Sequence, residues 1–324
     1  MGISVKRTSN RSAQWLFREE VLSFTSHIYM TLAILCRRRH KVAVIAELNL
    51  IFSSRFLRQG NACGMEIEMK EKQKAVVRSQ RELAPGIFDM WIETGLAEEA
   101  HPGQFIGVYP KDKSTLLPRP ISICEVDGEG KALRIVYRVA GAGTREFSGY
   151  QPGEAISILG ILGNGFPVEE AKGKKVFLMG GGIGVPPILE LAKQIDADKQ
   201  IIVGYRNKDT FLKEDFEKYG KVFIATEDGS VGTKGNVMDA IEANALEADM
   251  IYACGPMPML RAIKAYGEAH HCKTYISLEE HMACGVGACL GCVVKTRHTD
   301  HHSHVNNARI CTDGPVFDAE EVDI

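Results

Sequence analysis

Cys284, Cys289, Cys292 and Cys311 follow the pattern C-x4-C-x2-C-x18-C. Crowded thiols of this kind are metal ligands more often than disulfides in a chain this long. A structural zinc site pairs two close C-x2-4-C knuckles. Here there is one tight triple and one distant partner, which is the spacing of plant-type [2Fe–2S] centres. The residues between them, Gly285, Val286, Gly287, Ala288, Leu290 and Gly291, are small or apolar. Glycines let such a loop wrap closely, so that backbone N–H groups point at the sulfurs. The residues thus favour a [2Fe–2S] cluster over a zinc site or free thiols. The insert between the last two cysteines carries His298, His301, His302 and His304. No helical or strand spacing presents those rings together, so it reads as a solvated loop. Cys36, Cys63, Cys124 and Cys272 are scattered and read as packing or surface residues.

A second set of residues suits a phosphorylated cofactor. In "LPRPISICEV", Arg119, Pro120, Ile121 and Ser122 open a strand. A guanidinium donates two parallel hydrogen bonds to a pyrophosphate, and a serine hydroxyl reaches a ring nitrogen. Alone, the arginine could equally sit on an ordinary turn. Val136, Tyr137 and Arg138 in "IVYR" add backbone and aromatic contacts, and Gly143 and Thr144 lie in a glycine turn that opens a helix. Such a turn suits a phosphate.

A third set suits a dinucleotide. "FLMGGGIGVPPILELA" is a strand, a glycine loop and a helix, with Gly180, Gly181, Gly182 and Gly184 in the loop and proline in the first helical turn. It is not G-x-G-x-x-G, but its glycines allow close approach of backbone to phosphate. "YACGPMPML" closes a later strand with Cys254, Gly255 and Pro256. Ligands of open parallel sheets sit at the carboxyl ends of strands, where both stretches fall. Arg206 could take a 2′-phosphate and Asp209 could oppose it, so the residues leave NAD against NADP open.

The elements that must position these groups come in two textures. Six short β-rich runs between Gln73 and Pro167 predict a closed or partly closed antiparallel barrel. After Pro167 strands alternate with helices, which predicts a parallel sheet covered on both faces. The stretch from His281 to Ile324 is too short to build its own core and is expected to need a metal centre. The expected divisions are 1–64, an upstream extension outside the fold, 65–167, 168–275 and 276–324. The extension has ten Lys/Arg against three Asp/Glu, or +7; with a whole-chain charge of −2 the remainder carries −9. Its apolar runs are broken by "RRRHK", too short to span a bilayer and unlike a secretory signal. The small net charge argues against nucleic acid as a partner, and a cytoplasmic chain without membrane attachment is expected.

The R-P-x-S strand followed by a G-T turn, with the later C-G-P, resembles the ferredoxin–NADP reductase superfamily. There an aromatic often precedes the serine; Ile121 stands in its place. The order of parts, with "SLEEHMACGVGACLGC" and "CTDGPVFDAEEV", resembles the electron-transfer subunit of NAD-dependent (B-type) dihydroorotate dehydrogenase over roughly residues 69–324. The resemblance implies FAD held by Arg119 to Ser122, Val136 to Arg138, Gly143 and Thr144. It implies NAD at the two glycine stretches with Cys254 near the nicotinamide, and the cluster on the four cysteines. It further implies a separate FMN-containing catalytic subunit, in a heterotetramer, that oxidises dihydroorotate in pyrimidine biosynthesis. Electrons would pass from the partner through [2Fe–2S] and FAD to NAD⁺. The alternatives are an NAD(P)H–ferredoxin or polysulfide oxidoreductase subunit, and a non-enzymatic iron–sulfur redox sensor. The sensor leaves the R-P-I-S, G-T and C-G-P stretches unused.

Overall fold

The structure is a computed structural model that describes residues 70–299 and 305–324. The basic amino-terminal stretch and His301, His302 and His304 lie outside the described residues. The first six strands are β1 (Lys72–Ala84), β2 (Ile87–Glu93), β3 (Phe105–Tyr109), β4 (Arg119–Val126), β5 (Ala132–Arg138) and β6 (Ala155–Leu162). Each grows from one of the six β-rich runs. They close into an antiparallel barrel in the order β1-β2-β5-β4-β3-β6. Alternate residues point inward, and Met90, Ile106, Ile123, Ile135 and Ile158 fill the barrel. A short helix, α1 (Ala142–Phe147), follows β5.

The rest is α/β. Its strands are β7 (Lys175–Gly181), β8 (Asp198–Tyr205), β9 (Lys221–Thr226), β10 (Thr233–Lys234), β11 (Met250–Cys254) and β12 (Lys273–Ser277). Its helices are α2 (Pro187–Gln194), α3 (Lys213–Phe216), α4 (Val237–Ala243) and α5 (Met257–His270). The cysteine-rich segment adds a hairpin, β13 (Val293–Lys295) with β14 (Asn307–Arg309), and then β15 (Val316–Asp318). The sheet order is β10-β9-β8-β7-β11-β12-β15, parallel except for β15. Chain order reverses between β7 and β11, so a crevice opens at their carboxyl ends. The glycine loop leaves β7 there and Cys254 ends β11 there.

Barrel and sheet are joined by charges rather than by a linker alone. Arg134 on β5 is buried and forks onto Asp89 with two bonds of 2.9 Å. It also reaches Glu125 at 3.0 Å and Asp215, on α3, at 3.2 Å. Buried Glu190 on α2 accepts the Val126 amide at 2.8 Å. Charges taken out of water persist only when paired and hydrogen-bonded, and these are.

The cysteine-rich segment does not stand apart from the sheet. β15 extends it, pairing Ile276 with Phe317 and Ser277 with Val316. Cys292, Ile310, Cys311, Phe317 and Val322 join the same core as Phe177 and Ile276. The segment thus has no separate core, in keeping with its length, and its buried residues join the neighbouring one. It also touches the barrel, where Asn164 donates to the Gly314 carbonyl at 2.6 Å. Among the described residues no helix is long and apolar enough to cross a membrane.

Candidate functional site

Two cavities and a thiol loop lie side by side. The first cavity, about 470 Å³, opens on the barrel and is lined by Arg119, Pro120, Ile121, Ser122, Val136, Tyr137, Arg138 and Thr144. Its other wall is Ser277 to Met282, the chain leading from β12 into the thiol loop. β4 pairs with β3 so that Arg119 lies opposite Val108 and Ser122 opposite Phe105, which fixes both at the barrel mouth. The Arg119 guanidinium donates to the Leu117 carbonyl at 2.6 Å and lies over Gly143. A Cβ on Gly143 would sit 2.8 Å from Arg119 Nε, so a side chain there would push the arginine away.

Two of the predicted contacts take a different form. Thr144 Oγ1 accepts the amides of Ala140 (2.9 Å) and Gly141 (3.1 Å), so its hydroxyl shapes the turn. The Tyr137 ring packs in the barrel between Phe88 and Phe147, and its hydroxyl donates to Gln80 at 2.8 Å. Only main chain is left of Tyr137 to face the cavity. The sequence offered an aromatic contact here because it does not say which face of β5 carries the ring.

The second cavity, about 820 Å³, lies over the carboxyl ends of the sheet. Gly181, Gly182, Gly184, Gly255 and Pro256 line it. Gly182 has φ of +55°, which favours glycine. Gly180 and Cys254 lie behind the wall rather than in it. A Cβ on Gly180 would meet the Val185 Cα at 2.8 Å. Cys254 is fully buried, and burial, helped by the Glu279 carboxylate, pushes its thiol far above the usual range. It is a neutral group under the site, not an exposed nucleophile.

Arg138, Ile183 and Glu279 line both cavities. Glu279 is open to the cleft yet walled by protein on its other sides. That enclosure raises its carboxyl above the ordinary range, against the pull of Arg138. Neither Glu279 nor Glu227, which lines the far end of the second cavity, was singled out from the sequence. Their place depends on which strand ends the topology brings together.

The thiol loop follows at once. Gly285 and Gly287 have φ of +72° and +77°, and the backbone turns its amides onto sulfur. Gly287 N–H donates to Cys311 Sγ at 3.2 Å, and Cys289 N–H to Cys284 Sγ at 3.4 Å. Burial would raise the Cys284 thiol, but the Val286 and Cys289 amides outweigh it and bring it down to about 7. Burial and the neighbouring Cys292 thiol push Cys311 up to about 11. Cys284 thus neighbours Cys289, and Cys311 neighbours Cys292 with Cys284 also close enough to act on it.

Among the described residues no three His, Cys, Asp or Glu side chains converge on one metal ion. One tight triple of thiols with a distant fourth suits a two-iron cluster, which takes four cysteines over two irons, better than a single tetrahedral zinc. The all-thiol donor set and the amides aimed at sulfur fit the cluster. Arg119 over a glycine turn fits a phosphate-bearing cofactor in the first cavity. The loop of Gly181 to Gly184 fits a dinucleotide in the second.

Comparisons with known proteins agree with this layout. Residues 279–323 match the iron–sulfur cluster binding domain of dihydroorotate dehydrogenase B. Residues 178–265 match the oxidoreductase NAD-binding domain. The chain is similar to the dihydroorotate dehydrogenase B (NAD(+)) electron transfer subunit of Geobacillus sp. (strain WCH70), 43% identical over 262 residues, covering 78% of this chain and 99% of that protein. It is also similar to the solved NADH-dependent reduced ferredoxin-NADP oxidoreductase, with a TM-score of 0.69, 28% identity, and coverage of 77% of this chain and 89% of that one. The ferredoxin NADP+ reductase from Neisseria gonorrhoeae shares the fold at 15% identity and a TM-score of 0.53, covering 67% of this chain and 96% of that one.

Proposed function

The chain belongs to the family of NAD⁺-dependent dihydroorotate dehydrogenase B electron transfer subunits, and on that premise we propose how its parts divide the work. Residues 65–167 hold FAD, 168–275 hold NAD, and 276–324 hold a [2Fe–2S] cluster. The observation that carries this is adjacency. The first cavity shares Arg138, Ile183 and Glu279 with the second, and its wall at Ser277 to Met282 runs directly into the thiol loop. When bound, a flavin exchanges single electrons with an iron–sulfur centre and hydride with a nicotinamide, so the middle cavity is its place.

Arg119 holds the diphosphate of FAD, with the turn at Gly143 shaped by Thr144. Ser122 and the main chain of Val136 to Arg138 meet its ring. Gly181 to Gly184, Gly255 and Pro256 let backbone approach the dinucleotide. Cys254, buried and neutral, supports the floor of the nicotinamide end. Cys284, Cys289, Cys292 and Cys311 ligate the cluster, and the amides of Gly287 and Cys289 stabilise charge on sulfur.

The partner is an FMN-containing catalytic subunit, two of each forming a heterotetramer in the cytoplasm, where thiols are kept reduced. It covers the thiol loop, where exposed Cys289 is flanked by Val286, Leu290 and Val293, at 43%, 63% and 37% exposure. Such apolar residues around a redox group suit a protein contact.

The test uses the full chain with its cofactors. NADH should bleach its flavin absorbance and drive dye reduction, while dihydroorotate alone leaves it oxidised. Adding the catalytic subunit should bring dihydroorotate-dependent NAD⁺ reduction. A chain that oxidised dihydroorotate with no partner detectable by mass spectrometry would overturn this division.

A further inference from the structure

The second cavity ends on a pair of opposite charges. The last ladder pair of β8 and β9 is Tyr205 with Thr226. Beyond it the two chains stay joined, Glu227 N–H donating to the Tyr205 carbonyl at 3.1 Å and Asp228 N–H to Arg206 at 3.3 Å. That sets Arg206 and Glu227 side by side, and both line the cavity. Among the described residues neither is in a salt bridge or side-chain hydrogen bond, although both are exposed. Their neighbours are engaged: Asp228 accepts the Ser230 amide at 2.9 Å, and Asn207 accepts the Asp209 amide at 2.9 Å. Asp209, the acid weighed from the sequence, does not line the cavity.

Position tells which part of a dinucleotide they would meet. Of the residues shared with the flavin cavity, Arg138 ends β5 and Glu279 follows β12; the glycine loop leaves β7; Arg206 and Glu227 follow β8 and β9. Across the sheet this runs from β12 through β11 and β7 to β8 and β9. A dinucleotide with its nicotinamide at the flavin end and its diphosphate over the glycine loop brings its adenosine ribose to the far end.

We propose that Glu227 selects a nicotinamide dinucleotide bearing a free 2′-hydroxyl, and that Arg206 beside it is a latent 2′-phosphate site which Glu227 holds closed. The carboxylate accepts the ribose hydroxyl and repels a phosphate dianion at the same place. It also offsets the guanidinium that would otherwise attract that phosphate. The inference rests on the dinucleotide reading of this cavity.

The test is calorimetric binding to the full chain of two redox-inert ligands, ADP-ribose and 2′-phospho-ADP-ribose. The wild type should prefer ADP-ribose by on the order of ten- to a hundred-fold, from one charge-assisted hydrogen bond and a screened repulsion. Glu227→Gln, an isosteric change at an exposed side chain, should bring the ratio to about one or invert it. Adding Arg206→Ala should remove the affinity gained for the phosphorylated ligand. The ratio of kcat/KM for NADH and NADPH should move the same way. A wild type that binds both ligands with a ratio Glu227→Gln leaves unchanged overturns the inference alone. A wild type that binds neither, with its flavin and iron intact, overturns the dinucleotide reading as well.

Discussion

The glycine loop offers a test in which two chemically identical changes, three residues apart, should differ by an order of magnitude. A Cβ on Gly184 would lie 2.5 Å from the Cys254 carbonyl carbon and 2.6 Å from the Gly255 Cα. Ordinary contact begins at 3.4 Å, so the overlap is about 0.9 Å, and the obstacle is backbone at the end of a central strand. Relief requires moving the loop off β11, and on the dinucleotide reading of this cavity that seating sets the approach to the phosphates. Overpacking of this kind costs about 1–3 kcal/mol. If the loop moves to escape it, affinity falls by roughly five- to 150-fold. A Cβ on Gly181 would instead meet the Met259 sulfur, with Pro256 Cδ at 3.1 Å. A thioether on three rotatable bonds can swing aside. Gly184→Ala should therefore lose most of its affinity for NADH by calorimetry while keeping a full complement of flavin and iron. Gly181→Ala should change it by less than about three-fold. Equal losses, or a larger one at Gly181, would refute the claim that the loop's seating on Cys254 and Gly255 sets the phosphate site.

Three further outcomes are expected. Arg134→Ala leaves Asp89 buried with only exposed Arg81 beside it, so stability should fall by about 3–5 kcal/mol in a denaturant titration; a loss under about 1 kcal/mol, the size of an exposed pair, would count against it. Serine at Cys284, Cys289, Cys292 or Cys311 should lower iron and sulfide content sharply, while Cys272→Ser, whose thiol contacts the Ala248 carbonyl, should not. In cluster-free protein the Cys284 thiol, lowered to about 7, is thiolate above that pH and thiol below it. Its alkylation by iodoacetamide should thus rise through about pH 7 and level off above it, with Cys311 lagging until about 11; peptide mapping by mass spectrometry would expose the reverse order.

Local signals carried far in this chain, and they stopped where long-range packing took over. The six barrel strands were legible because each is a short run of branched and aromatic residues between turn formers, as in "IFDMWIE" before "TG". The parallel sheet was legible from alternation, and the thiol spacing stands in the chain itself. β15 was not, because three residues, Val316 to Asp318, make no period; β12 lends them their conformation. Cys254 and Gly255 adjoin in sequence, but one is buried and the other lines a cavity, a difference set by the direction of a strand's last side chain. Tyr137 turned inward for the same reason. Glu227 and Glu279 are 52 residues apart and carry no motif of their own; the crevice at the strand ends puts them in one cavity.

β15 also decides what a shortened chain would do in solution. An outermost strand presents a row of unsatisfied amides and carbonyls that will pair with any extended segment. In the intact protein β15 occupies that side of β12, and its own outward row is only three residues long. A chain cut after residue 278, keeping the whole of β12 without the thiol segment, would uncover the side of β12 that β15 occupies, Tyr275 to Ser277, with buried Ile276 at its centre. Two such chains could dock edge to edge. The segment that serves electron passage therefore also covers a sheet edge that would otherwise stand open to pairing.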